Sequence, residues 1–142
     1  MIVSFAVKGA SQVSGNFHKA AMAMQRALQA EVKKGQYMVQ REAKLNVTKG
    51  RPLNVRSGRL RSSIAVGPLE FKDKTIMGRV GTDVVYGKTH EFGAKIKNGF
   101  GRGVLINIPK RPWLEPAFDR TKDRIAKLFS GRVTSELNKA GL

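Results

Sequence analysis

The stretch FHKAAMAMQRALQAEVKKGQYMVQREA, residues 17–43, decides how the rest of the chain is read. Phe17, Ala21, Met24, Leu28, Val32, Gly35, Val39 and Ala43 recur at steps of three and four, which places them on one stripe of an α-helix. Lys19, Arg26 and Lys33 recur every seven residues away from that stripe and mark the solvated side. The spacing predicts one long helix over about residues 11–47, buried along a single face. Gly35 falls on the buried stripe. Glycine inside a helix costs about 1 kcal/mol relative to alanine, so Gly35 is expected to mark a close crossing of the helix against backbone and not a break.

Working outward, Ile2–Val7 is rich in β-branched and aromatic residues and reads as a strand, not as a signal peptide, since no basic segment precedes it. Gly9–Gly15 is turn-rich. Downstream, VTKGRPLNVRSG (47–58) reads as loop, and Ser57 is placed to act as N-cap of a short helix over 58–64. IAVGPLEF (64–71) and KTIMGRVGTD (74–83) are strand-like and joined by a hairpin around 72–74. VVYGKTHEFGAKI (84–96) is read as a short strand through Tyr86 followed by a turn or single helical turn. NGFGRG (98–103) is expected to be a mobile loop and VLINIP (104–109) a further strand. Past Pro112 and Pro116, the residues Ala117, Phe118, Thr121, Ile125, Leu128 and Phe129 predict a second amphipathic helix to about residue 138. No repeat or linker divides residues 1–142, so a single domain is expected. The fold class that follows is α+β: an antiparallel sheet packed by a long N-terminal helix and a C-terminal amphipathic helix.

Charge is the strongest compositional signal. The chain has 142 residues with 27 Lys+Arg against 10 Asp+Glu, a formal net charge of +17. Such a surplus favours a polyanionic neighbour, either nucleic acid or an acidic protein surface. From Ala43 to Leu69 the chain carries Lys44, Lys49, Arg51, Arg56, Arg59 and Arg61 and no acid, and KIKNGFGRG adds Lys95, Lys97 and Arg102. These nine cations are the candidate DNA- or partner-contacting residues. Cysteine is absent, which excludes disulfides and thiolate metal sites and suits a reducing compartment. No apolar run approaches the roughly 20 residues of a membrane span.

Catalytic readings fail on spacing. His18 and His90 stand in different elements, and His90-Glu91-Phe92 lacks the second histidine four residues on that a helical zinc site needs. His90 is therefore expected to be a half-buried side chain. GFGRGV lacks the Lys-Ser/Thr of a P-loop, and the acids are scattered singly with no general acid/base pair. Neither an active site nor a cofactor site is recognisable.

Three blocks in order carry more information: RPLNVRSGRLRSSI (51–64), VGTDVVYGKTHEFG (80–93) and IPKRPWLEPAF (108–118). The set resembles the small head–tail joining, or tail-completion, proteins of long-tailed double-stranded-DNA bacteriophages. The family pattern falls here on Pro52, Ser57-Gly58-Arg59-Leu60 and Ser63-Ile64. It continues on Val80-Gly81-Thr82, Tyr86-Gly87 and Glu91-Phe92-Gly93, and ends on Arg111-Pro112-Trp113-Leu114 and Pro116-Ala117. Gly87 stands where alanine is usual, and Trp113 where phenylalanine is usual. The resemblance implies a non-enzymatic virion protein of the neck, assembled in the host bacterial cytoplasm. It also implies a homo-oligomeric ring that contacts neighbouring neck and tail proteins, placed to line the passage of viral double-stranded DNA, with no cofactor and no membrane association. Glu91, Phe100 and Arg111 are the candidate subunit-interface residues. Glu91 has two readings, an internal salt bridge or cap and an acidic contact to a neighbouring subunit's arginine. Trp113 has two readings, a core plug and a partner anchor, of which the core plug is expected. The alternative function is a free, sequence-independent nucleic-acid-binding protein, against which stands the lack of a recognition-helix or ribonucleoprotein signature.

Overall fold

A computed structural model of the chain describes residues 1–8, 18–48, 53, 57–97 and 103–140. In chain order the elements are β1 (Ile2–Lys8), α1 (His18–Asn46), α2 (Arg59–Ser63), β2 (Ala65–Val66) and β3 (Glu70–Lys72). They continue with β4 (Thr75–Gly81), α3 (Val85–Phe92), β5 (Ala94–Lys97), β6 (Leu105–Ile108) and α4 (Glu115–Lys139). The fold is α+β, with antiparallel strand pairing throughout the described residues.

β4 is the centre of the main sheet. β1 runs along one side of it over its full length, from Ile2 opposite Gly81 to Lys8 opposite Thr75. β2 and β3 share the other side. Along β4, Ile76, Gly78 and Val80 are buried and alternate with half-buried neighbours, the period-2 pattern of a strand with one face on the core. The turn into β4 places Asp73 and Lys74 at φ 48° and 65°, the left-handed pair of a two-residue hairpin loop matched to strand twist.

α1 lies across the buried face of this sheet. Leu28, Val32, Val39 and Ala43 of the stripe are buried, and each of the larger ones contributes about 1.5–3 kcal/mol through burial. α1 passes close over Gly78: a Cβ there would lie 2.7 Å from Gln36 Cγ and 2.8 Å from Val32 Cγ1. A Cβ on Gly35 would likewise meet side chains, the Phe5 ring at 3.0 Å and Ile125 Cγ2 at 3.3 Å. The helix is unbroken at Gly35, as expected, but what packs there is side chain from β1 and α4 and not backbone. α4 packs along α1 and joins the same core through Ala117, Thr121 and Ile125, with Phe129 reaching the cluster of Leu28, Val32 and Ile76.

Four readings from sequence need correction. The helix predicted over 58–64 is the shorter α2, and Gly58 occupies its N-cap position at φ 72°, where no side chain caps the helix. Ser57 Oγ accepts only a long 3.4 Å hydrogen bond from the Arg59 N–H. Tyr86 lies in α3, a helix of two turns, and not in a strand. The strand 105–108 does not join the main sheet but pairs with β5 in a separate two-stranded ribbon. The 98–102 part of the glycine loop and the 11–17 part of the predicted long helix lie outside the described residues.

Candidate assembly site

The motif blocks converge on Trp113. α3 carries Glu91 in its last turn, buried to 1% exposure, and points its carboxylate at the start of α4. Glu91 Oε2 accepts the backbone N–H groups of Trp113 at 2.6 Å and Leu114 at 2.9 Å, and Oε1 accepts that of Glu115 at 2.8 Å. The first N–H groups of a helix have no partner within it and carry the positive end of its dipole. A carboxylate supplied by another helix satisfies both needs at once. Pro116 in the first turn of α4 has no N–H to satisfy.

Around this cap the chain closes tightly. Trp113 is fully buried, and its indole N–H donates to the Gly87 carbonyl at 3.0 Å. A Cβ on Gly87 would lie 2.8 Å from Thr82 Cγ2 and 3.0 Å from Leu60 Cδ1, so the alanine usual at this position would require those two side chains to shift where block two passes under block one. Gly93, at φ 73°, ends α3, and the Arg111 N–H donates to the His90 carbonyl at 2.7 Å. Asn46, the last residue of α1, donates through its side-chain amide to the Trp113 carbonyl at 2.7 Å and accepts from the Arg120 guanidinium at 2.8 Å.

Block one is tied to block two by hydroxyls. The Val84 N–H donates to Thr82 Oγ1 at 3.1 Å, Thr82 Oγ1 and Ser63 Oγ lie 2.6 Å apart, and Ser63 Oγ donates to the Leu60 carbonyl at 2.8 Å. With Ser63 donating to Leu60, the Thr82 hydroxyl is the donor between the two side chains. α2 and the start of α3 thereby flank an open cleft of about 420 Å³, lined by Arg59, Ser62, Ser63, Asp83, Val84, Val85 and Tyr86.

The sequence-predicted residues divide between this scaffold and the surface. Glu91 is committed inside its own chain, so of its two readings the internal cap holds, and its burial leaves nothing to offer a neighbouring subunit. Trp113 is a core plug. Arg111 is exposed, and so are Arg59, Arg61, Lys95 and Lys97, while Lys44 is half-buried in the last turn of α1. Among the described residues none of these six cations forms an ion pair. Lys49, Arg51, Arg56, Phe100 and Arg102 lie outside the described residues. His90 is half-buried in α3 with its ring edge-on to Tyr86 at 6.2 Å. Burial, and then the neighbouring Arg111 guanidinium, hold its imidazole below the ordinary value of 6.5. Among the described residues no group of His, Asp and Glu could hold a metal ion, and no helix is long and apolar enough to cross a membrane.

A scan against protein families matches residues 11–93, more than half of the chain, to the family described as "Bacteriophage HK97-gp10, putative tail-component". The chain belongs to this HK97-gp10-like family. It is thus a bacteriophage structural protein, and the family places it in the tail of the virion. No curated protein and no solved structure matches the chain. The family match includes blocks one and two and stops at Gly93, before block three. Glu91 and Gly87, inside the match, bind the backbone and indole of Trp113, outside it, so the third block belongs to the same folding unit as the matched region.

Sequence reasoning missed three polar side chains that position these pieces. Gln36 donates to the carbonyls of Gly67 at 2.9 Å and Arg79 at 3.0 Å, Gln40 to that of Ile64 at 2.8 Å, and Asn46 to that of Trp113. A signal existed for two of them. Gln36 lies four residues beyond Val32 and Asn46 three beyond Ala43, in phase with the buried stripe, and a polar residue in that phase must find a buried partner.

Proposed function

We propose that this tail-family protein is a non-enzymatic component of the phage neck, joining head to tail as a ring of identical copies whose basic surface faces the DNA passage. The observation that carries the reading is the set of exposed or half-exposed cations, Lys44, Arg59, Arg61, Lys95, Lys97 and Arg111, that have no acid partner among the described residues. Six of the ten acids, Glu31, Glu42, Glu70, Glu115, Asp119 and Glu136, are already occupied by other cations. Copies carrying +17 repel one another unless a polyanion or an acidic neighbour offsets the charge. A basic wall around DNA contacts phosphates and need not read sequence. The motif residues support a structural role as well, since Glu91, Trp113, Ser63 and Thr82 spend their polar groups on backbone groups and hydroxyls of the same chain.

The test replaces Arg56, Arg59 and Arg61 together with Gln and counts filled, tailed particles in a complementation assay. An intact thermal melt with lost particles is the expected result, because Arg59 and Arg61 are exposed and exposed cations contribute little to folding. Normal yields would return these arginines to solvated surface. Light scattering on the purified chain separates a ring subunit from a monomeric DNA binder, and a gel shift at two salt concentrations then reads the phosphate contribution.

A further inference from the structure

We propose that the β5–β6 ribbon of one copy docks its apolar face in the α2–α3 cleft of a second copy, linking copies head to tail; this rests on the ring reading above and names the contact that builds the ring.

The ribbon has two unlike faces. Ile96 is opposite Ile106 and Ala94 opposite Ile108, and residues two apart share a face. One face is thus Ala94, Ile96, Ile106 and Ile108, and the other carries Lys95, Lys97, Leu105 and Asn107. Among the described residues β5 and β6 pair only with each other, and Ile96 and Ile106 stay 45% and 46% exposed. A lone two-stranded ribbon is marginal in water, and an apolar face left open on it calls for a covering surface.

The cleft supplies one. Val85 at its lip is 85% exposed and Tyr86 is exposed beside it, a costly position for apolar side chains that nothing among the described residues covers. Charge selects a second copy as the occupant. Most of a +17 surface repels its own kind, but among the described residues the cleft is lined by one cation, Arg59, and one acid, Asp83, so that of the cations named above Arg59 turns to the neighbouring copy and the others are left for DNA. An acidic partner would instead be drawn to the Lys95 and Lys97 face and leave the isoleucines uncovered. Donor and acceptor surfaces lie at opposite ends of α3, about 12 Å apart along an eight-residue helix, so one copy offers both without overlap. Two different surfaces in contact make a heterologous interface, which closes into a ring or runs on as a filament. A ribbon this short buries less than the roughly 800 Å² per partner of a stable standard interface, so closure adds the stability that one contact lacks.

The chain has no cysteine, so the contact is read by engineered pairs in the full-length protein. Val85→Cys with Ile106→Cys in one chain, oxidised, is expected to give a ladder of covalent multimers on a non-reducing gel, while either single variant stays monomeric. Single variants that dimerise, with a double variant that stops at dimers, overturn the head-to-tail contact. Only monomer from the double variant, while light scattering shows rings of the unmodified chain, overturns the contact and leaves the ring reading standing. A ladder with no closed particle keeps the contact and sinks the ring, and neither ladder nor rings sinks both. Ile96→Ser with Ile106→Ser is the second variant: its melt should stay near wild type, and its association should weaken about tenfold or more. Unchanged association overturns the proposal.

Discussion

Replacing Glu91 is the sharpest test of the scaffold. The carboxylate sits at 1% exposure and takes three backbone N–H groups, two on Oε2 at 2.6 and 2.9 Å and one on Oε1 at 2.8 Å. In Glu91→Gln the amide oxygen can replace Oε2 and keep two of these bonds in weaker, uncharged form. Its NH₂ then faces the N–H of Glu115, donor against donor. One charge-assisted bond is worth about 1.5–3 kcal/mol, and a negative charge at a helix N-terminus adds about 0.3–2 kcal/mol. A loss of roughly 2–3 kcal/mol is expected, since the Glu115 N–H is only part-buried and water can relieve it. Glu91→Ala leaves all three donors without a partner and should lose about 3–5 kcal/mol, at the far end of single-substitution effects. In a chain of this length the Gln variant should melt about 4–10 °C lower. Urea denaturation with an unchanged m-value measures the difference directly. Glu115→Gln is the comparison, because that side chain is exposed, pairs among the described residues only with Lys110 at 3.3 Å, and stands in the first turn of α4; its change should stay within about 1 kcal/mol. A Glu91→Gln variant as stable as Glu115→Gln would refute the cap.

Three further substitutions follow from the geometry. Ser57→Ala should shift the urea midpoint by less than about 0.5 kcal/mol, because the 3.4 Å contact to the Arg59 N–H is exposed and Gly58 holds the N-cap position; a larger loss would restore Ser57 as a cap. Lys74→Gly should stabilise the hairpin by about 0.5–1 kcal/mol, since Lys74 is held at φ 65°, and a lower melting temperature would contradict this. The His90 imidazole is held below 6.5 by burial and then by Arg111, so the unfolded chain binds that proton more readily than the folded one. Any stability tied to it is intact above 6.5 and is lost as pH falls through the lowered folded value. His90→Gln should accordingly lose less stability than wild type between pH 7.5 and about pH 5.5, and identical pH profiles in urea would dismiss the effect.

How much of this was legible in the sequence depends on the range of the interaction. Period and propensity act over a few residues, and they located α1, β4, α4 and the hairpin at 73–74 to within about two residues where the structure describes them. They failed at α3, where Val84, Val85 and Tyr86 have strand propensity but the backbone coils so that Gly87 can meet Trp113, 26 residues further on. Local preference yields there because the indole hydrogen bond and the Glu91 cap both require the helix. The same limit hid the role of Gly78. A glycine in a strand is a weakness by propensity, and only the passage of α1 at 2.7 Å from where a Cβ would be makes it a requirement.

The candidate site shows the limit from the other side. Spacing could list Lys44, Arg59, Arg61, Lys95 and Lys97 as cations without local acids, but not say which acids elsewhere in the fold are already taken. The ion pairs supply that: Glu42 goes to Arg120, 78 residues away, and Glu70 to Arg79 across the β3–β4 hairpin. Asp73, Asp83 and Asp123 have no cation partner among the described residues, and of these Asp83 lines the cleft with Arg59. The placement has a consequence for assembly. A chain that left its unpaired acids scattered would meet its copies as a uniformly repelling surface. In the contact proposed above, one acid and one cation lining the same cleft leave a window of low net charge for a second copy, while the lysines of the ribbon stay on its opposite face for a polyanion.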